Sequence, residues 1–99
     1  MPLSTRKDFD KAVSVVGAVL KRWDPYALLA GGAPADEFDS EIASVAAQIP
    51  RIRCSNDAVH AVSRVFSSAF DAETFSVANC TDVGKQLYSA LVDARLVDP

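Results

Sequence analysis

The chain has 99 residues, of which 49% are apolar and 23% charged, and its formal net charge is −3. This length predicts a single domain over residues 1–99 with a core that needs no disulfide or metal, and the composition is that of a globular protein rather than of a disordered tail. No apolar run approaches the roughly 18 residues of a membrane-spanning helix and no signal-peptide pattern stands at the start, so we expect a cytoplasmic protein without a membrane partner.

The first predicted element is a helix from about Thr5 to Arg22. Its apolar residues recur at spacings of three and four and therefore share one face: Phe9, Val13, Val16, Leu20 and Trp23. Gly17 lies within this pattern, where glycine costs up to about 1 kcal/mol relative to alanine. It indicates either a close contact between helices or tolerated strain.

A short helical turn is predicted between the first and second helices. Asp24 before Pro25 is typical of an N-cap followed by a proline at the first helical position, and the Gly31-Gly32 pair would end the turn. Trp23 and Leu28 then have the spacing of a hydrophobic staple. The Trp-Asp-Pro sequence is thereby assigned mainly to architecture.

The second helix is predicted to begin at Pro34 and to end near Ile49, because Pro50 cannot continue a helix. Its apolar stripe consists of Phe38, Ile42, Val45 and Ile49. The third helix is predicted to follow Ser55, taken as its N-cap, and to run to about Phe70. The stripe of this helix consists of Val59, Val62, Phe66 and Phe70.

The fourth helix is predicted to begin between Thr74 and Ser76 and to fade by about Arg95. Its core residues are Cys80, Val83, Leu87 and Leu91. No stretch alternates with a period of two long enough to predict a strand. We therefore expect an all-α fold, a compact bundle of four main helices with the short helical turn between the first and second.

The acidic residues are concentrated in one part of the chain. Between Arg22 and Arg51 there is no lysine or arginine but there are five carboxylates, so this stretch carries a charge of −5. Four of them lie in residues 36–41, which we call the acidic segment: Asp36, Glu37, Asp39 and Glu41. A solvated helix face and a recognition surface for a basic partner are both open interpretations.

The helix dipole explains part of this charge. With a helix starting at Pro34, Asp36 and Glu37 fall in its first turn, where a carboxylate is stabilised by roughly 0.3–1 kcal/mol. Asp39 and Glu41 would lie further along the helix. The negative charge of these two residues is not explained by the dipole, and it is therefore the stronger indication of a binding partner.

The sequence offers no catalytic or cofactor chemistry. The acidic segment lacks the glycine turn of a calcium loop, and Cys54 and Cys80 lack metal-ligand spacing, so we expect no metal, no cofactor and reduced thiols. His60 falls away from the apolar stripe of its helix, and no serine stands in a nucleophile motif. We predict that the protein is not an enzyme. The acidic sequence pI of about 4.9 also argues against direct nucleic-acid binding.

From Trp23 to Glu41 the chain resembles a family of small, all-helical bacterial proteins of uncharacterised function. The pattern is Trp-Asp-Pro, a short apolar turn with glycine, a proline and then Asp-Glu-(Tyr or Phe)-Asp-x-Glu, and here it reads Trp23-Asp24-Pro25, Gly31-Gly32, Pro34 and residues 36–41. Phe38 replaces the more usual tyrosine. The later spacing of aromatic and apolar residues also suits the family.

Relatives of this type include immunity proteins of bacterial toxin systems, among them contact-dependent growth inhibition. The resemblance therefore implies an immunity protein that binds and neutralises a cognate toxin domain, a nuclease being one candidate. The expected partner is a basic protein surface, and the predicted contact residues are Asp36, Glu37, Asp39, Glu41 and Tyr26. A non-catalytic helical interaction or structural module with another partner is the alternative.

Overall fold

Within residues 6–25, 30–34 and 36–97, which are those the computed structural model describes, the chain forms four α-helices and no strand. The helices are α1 (Arg6–Trp23), α2 (Asp39–Ala46), α3 (Ser55–Ala69) and α4 (Thr81–Asp93). The all-α prediction is confirmed. The predicted turn after Trp23 falls partly at 26–29, outside the described residues, as does Tyr26.

The four helices form a ring of packed neighbours around one core. Helix α1 packs against α2 and α4, and α3 packs against the same two helices. The largest fully buried side chains include Leu20, Phe38, Ile49, Phe66, Phe75, Leu87, Leu91 and Leu96. Burial of each such side chain stabilises the fold by about 1.5–3 kcal/mol.

Helix α1 has the predicted span, and Asp24 marks its end. The Asp24 N–H donates to the Leu20 carbonyl oxygen at 2.9 Å, and the residue has a φ of +46°. Aspartate tolerates this left-handed conformation better than most residues, and it ends a helix. The Asp24 carboxylate also accepts the Ala30 N–H at 3.0 Å, which ties the two ends of this connection together.

Helix α2 begins later than predicted. The predicted start at Pro34 is wrong, since α2 begins at Asp39 with Phe38 as its N-cap. Before the helix, the N–H groups of Glu37 and Asp39 donate to the carbonyl oxygens of Pro34 and Asp36 at 3.0 and 3.1 Å. Bonds that span three residues are those of consecutive turns rather than of an α-helix.

The predicted end of α2 near Ile49 is also wrong, because α2 ends at Ala46 and a short 3-10 helix, Ile49–Arg51, follows. The Gln48 N–H donates to the Val45 carbonyl oxygen at 3.0 Å, a bond that tightens the last turn. Pro50 cannot donate a backbone hydrogen bond, so the chain leaves the α-helical ladder before it.

Helix α3 has the predicted length, but its N-cap is Cys54 rather than Ser55. Cys54 makes no side-chain capping bond. Instead, the carboxylate of Asp57 in the first turn reaches back and accepts the Arg53 N–H at 2.9 Å. A carboxylate in this position also interacts favourably with the helix dipole.

The predicted start of α4 between Thr74 and Ser76 is wrong, since the helix begins at Thr81. Before this helix, polar side chains form hydrogen bonds with backbone groups that would otherwise bond to one another within a helix. Asp71 accepts the Thr74 N–H at 2.7 Å, and Asn79 donates through its side chain to the Thr74 carbonyl oxygen at 3.0 Å. Such side chains compete with helix formation and favour turns.

Phe75 fixes this run of turns to α3. Its carbonyl oxygen accepts the hydroxyl groups of Ser63 and Ser67 at 2.6 and 3.0 Å, and its ring is buried. The four residues predicted for the core in this region are all buried: Cys80, Val83, Leu87 and Leu91. The pattern therefore identified the face of α4 correctly but not where the helix begins.

Candidate partner-binding surface

Phe38 anchors the acidic segment to the core. Its ring is fully buried, and its centroid lies 6.0 Å from that of Phe66 and 6.4 Å from that of Phe70. Glu37 and Asp39, on either side of it, are exposed. One buried ring thus lies between two carboxylates at the surface.

The four carboxylates of the acidic segment occupy two different structural settings. Asp39 and Glu41 lie in the first turn of α2, where the helix dipole stabilises negative charge. Asp36 and Glu37 precede the helix in the turns, so their predicted assignment to its first turn is wrong. The helix dipole thus explains the negative charge of Asp39 and Glu41, which is the reverse of the prediction. The negative charge of Asp36 and Glu37 has no such structural explanation.

The side chains of these residues make no hydrogen bond or ion pair within the described parts of the chain. Asp36, Glu37 and Asp39 are exposed, and Glu41 is half-buried. Their charge is therefore available to a partner. An exposed carboxylate run of this kind attracts a basic surface and raises the rate of association at low salt.

Trp23 belongs to the aromatic cluster formed by Trp23, Phe38, Phe66, Phe70 and Phe75. It is half-buried, and its ring meets those of Phe66 and Phe75 edge-on at centroid distances of 5.1 and 5.7 Å. Such aromatic pairs contribute about 0.5–1.5 kcal/mol beyond the area they bury. Assigning Trp23 to architecture is consistent with these contacts.

Phe70 is a candidate contact residue that the sequence pattern missed. The stripe of α3 placed it in the core, but it follows the last residue of α3 and its side chain is 37% exposed. Its ring stacks on Phe66 at 5.8 Å and meets Phe38 edge-on. The acidic segment therefore borders an exposed aromatic ring. The position of Phe70 at the predicted end of the helix was the sequence signal that could have indicated its exposure.

A groove of about 480 Å³ lies between α1 and α2 beside the acidic segment. Its lining includes Gly17 and Ile42 at the helix contact and one charge on each side, Lys21 and Asp39. A Cβ added to Gly17 would lie 3.6 Å from Ile42, an ordinary contact. The glycine is thus not required by a close backbone approach.

Potential reactive groups are dispersed. Burial raises the pKa of the Cys80 thiol, which keeps it protonated and unreactive, while Cys54 is exposed and His60 lies on the surface. Among the described residues, no three His, Cys, Asp or Glu side chains gather where they could hold a metal ion. None of the helices described here is long and apolar enough to cross a membrane.

The fold and this surface define a small four-helix domain with one acidic face beside an exposed aromatic ring. The model of the family described as "Domain of unknown function (DUF1871)" matches residues 15–94, and the chain belongs to this family. The match covers the second half of α1 and all of α2, α3 and α4. Comparisons with curated proteins and with solved structures yield no match.

Proposed function

We propose that the protein is an immunity protein, a cytosolic inhibitor that binds a cognate toxin domain and neutralises it without chemistry. The observation that carries the proposal is the acidic segment, whose four carboxylates have no partner within the described residues. A toxin that cleaves nucleic acid must hold phosphates with basic groups, and carboxylates can cover such a site. The resemblance of residues 23–41 to a family that includes immunity proteins also supports the proposal, because it links the chain to bacterial toxin systems.

The proposed interface combines charge with one aromatic anchor. Binding energy at protein interfaces is concentrated in a few residues, often aromatic ones surrounded by a polar rim. Phe70 is held in place by the aromatic cluster, so it loses little conformational freedom on binding. Asp36 and Glu37 would steer the basic partner, while Phe70 would supply apolar contact. Tyr26 stays a predicted contact outside the described residues.

The test is co-expression with the product of the adjacent reading frame, followed by a pulldown and a growth-rescue assay. We expect the wild type to bind and to rescue growth. Reversing Asp36 and Glu37 to lysine should lower affinity, with a salt dependence weaker than that of the wild type. Failure of the wild type to bind or rescue would refute the immunity proposal.

A matched control separates a local contact from a general effect of net charge. The double variant Glu73→Lys, Asp82→Lys changes the charge by the same amount at two exposed sites outside the acidic segment. Its affinity for the toxin should stay close to that of the wild type. Equal losses in both variants would mean that net charge, and not the acidic segment, governs binding.

The alternative, a non-catalytic interaction module with another partner, is favoured by one observation. The groove between α1 and α2 carries Lys21 and Asp39 on opposite sides, so this face has charges of both signs and suits a second copy of the chain. Light scattering at several protein concentrations tests self-association. A dimer that the Lys21→Glu variant disrupts would support this alternative.

A further inference from the structure

Four surface cavities in the described part of the chain differ in the charges that line them. Three are lined by one cation and one carboxylate each: Lys21 and Asp39 in the first, Arg64 and Glu41 in the second, and Arg22 and Asp93 in the third. The fourth, of about 150 Å³, has two arginines and one carboxylate; its polar lining is Gln48, Arg51, Asp57, His60 and Arg64. This cavity, which we call the basic pocket, has an excess of positive charge in a chain of net charge −3.

One side of the basic pocket is fixed by the 3-10 helix after α2. Arg51 lies between Ile49 and Ile52, both of which are buried. Its N–H donates to the Gln48 carbonyl oxygen at 2.9 Å, and the Ile52 N–H donates to that of Ile49 at 2.9 Å. The backbone at Arg51 is therefore held on both sides, while its side chain is exposed.

Helix α3 provides the other side. Asp57, His60, Ala61 and Arg64 follow one another at spacings of three, one and three, so they lie on one face of the helix. Ala61 is buried and small, and it leaves room between the longer side chains. The basic pocket thus lies between two elements whose backbones are set by the core.

The basic pocket keeps an excess of positive charge, because its two arginines outnumber its one carboxylate. The single carboxylate, on Asp57, offsets only one of the two arginine charges, and it also accepts the Arg53 N–H at 2.9 Å. Within the described residues, the guanidinium groups of Arg51 and Arg64 form no ion pair. Each guanidinium carries five N–H donors in a planar fork that suits the oxygens of a phosphate group.

We propose that the basic pocket binds a phosphate-sized oxyanion, either free phosphate or the terminal phosphate of a small phosphomonoester. Arg51 and Arg64 would donate to its oxygens, and Gln48 and His60 add further donors. The cavity of about 150 Å³ exceeds by far the space that one water molecule needs, so it has room for an anion of this size. The inference is independent of the proposed immunity function.

The experiment is a titration of ¹⁵N-labelled protein with inorganic phosphate, with sodium chloride added to keep the ionic strength constant. We expect saturable amide shifts confined to residues 48–52 and 57–64. Shifts that do not saturate, or that chloride alone reproduces, would overturn the proposal. A parallel titration with O-phosphoserine distinguishes the two sources, since tighter binding than phosphate would favour a phosphomonoester.

Variants test the assignment of the two arginines. The double variant Arg51→Gln, Arg64→Gln should weaken phosphate binding by roughly tenfold or more, because charge-assisted bonds are the strong ones. Arg53→Gln is the matched control, since Arg53 is exposed in the same segment but its side chain does not line the basic pocket. Unchanged binding in the double variant, or an equal loss in the control, would contradict the proposal. Unchanged amide spectra elsewhere verify that each variant is folded.

Discussion

The contact between α3 and α4 and the contact between α1 and α2 both contain a glycine, yet the two glycines have different roles. A Cβ at Gly84 would lie 2.5 Å from the Cα of Val59 and 2.8 Å from its backbone nitrogen. A Cβ at Gly17 would instead lie 3.6 Å from the Ile42 side chain, beside an open groove. The first glycine allows two backbones to approach closely, and the second does not serve that purpose.

This difference divides the molecule into a tight half and an open half. Helix α3 also holds the turns that lead to α4, through the hydroxyl groups of Ser63 and Ser67, which donate to the Phe75 carbonyl oxygen. Helices α1 and α2 leave a groove, and the acidic segment lies at one end of it, where Asp39 lines the groove. On this basis the tight half would be the scaffold, and the open half would carry the proposed partner-binding surface.

The largest expected effect comes from removing the anchor of the open half. Phe38→Ala should lower the free energy of unfolding by about 3–5 kcal/mol, because it leaves a cavity in the aromatic cluster. Urea denaturation followed by circular dichroism measures the change. Phe70→Ala, at the exposed end of the same cluster, is the matched control and should cost clearly less. Equal costs would contradict the assignment of Phe38, rather than Phe70, as the anchor of the acidic segment.

The next largest effect contrasts the two glycines. Gly84→Ala should destabilise the protein by about 1–3 kcal/mol, because its Cβ would meet the Val59 backbone. Gly17→Ala should be neutral or stabilise by up to about 1 kcal/mol through helix propensity. Thermal unfolding of both variants measures the difference. If Gly84→Ala were as stable as Gly17→Ala, the division into a tight and an open half would be wrong.

A second measurement reports on the tight half directly. Cys80 is buried at the start of α4, and burial raises the pKa of its thiol. In the wild type, a thiol reagent should label the exposed Cys54 at once and Cys80 only as the fold opens. Gly84→Ala should speed the labelling of Cys80, whereas Gly17→Ala should leave it unchanged.

Periodicity of apolar residues was enough to predict four helices and the faces they bury. Val59, Val62 and Phe66 share the buried face of α3, and Leu87 and Leu91 that of α4, as their spacing indicated. Burial of one helix face dictates this pattern, so the pattern reports it well. The exposed Phe70 departs from it because the helix ends one residue earlier.

Helix starts and the setting of the acidic segment were not predicted correctly, because they depend on competing backbone bonds. At Pro34, an expected helix start gave way to turns closed by Glu37 and Asp39. At Thr74, the backbone N–H is bound by the Asp71 side chain. Phe38 and Phe75, next to these bonds, are both buried in the core. Tertiary packing of this kind favours one set of bonds over another, and local sequence does not contain it.

The smallest expected effect separates the two carboxylate pairs of the open half. Asp39→Lys with Glu41→Lys replaces two favourable interactions with the α2 dipole by unfavourable ones, and should lower the unfolding free energy by about 1–2 kcal/mol. Asp36→Lys with Glu37→Lys should change it by less than about 0.5 kcal/mol, since both side chains are exposed and precede the helix.

Denaturation at low and high salt distinguishes these outcomes, because screening should reduce the larger change. Asp82→Lys, a reversal in the first turn of α4, serves as the control for a dipole effect outside the acidic segment. The same loss of unfolding free energy in both double variants would mean that Asp36 and Glu37 also stabilise the fold. A loss confined to Asp39 and Glu41, together with weakened toxin binding by the Asp36 and Glu37 variant, would assign stability to one pair and recognition to the other.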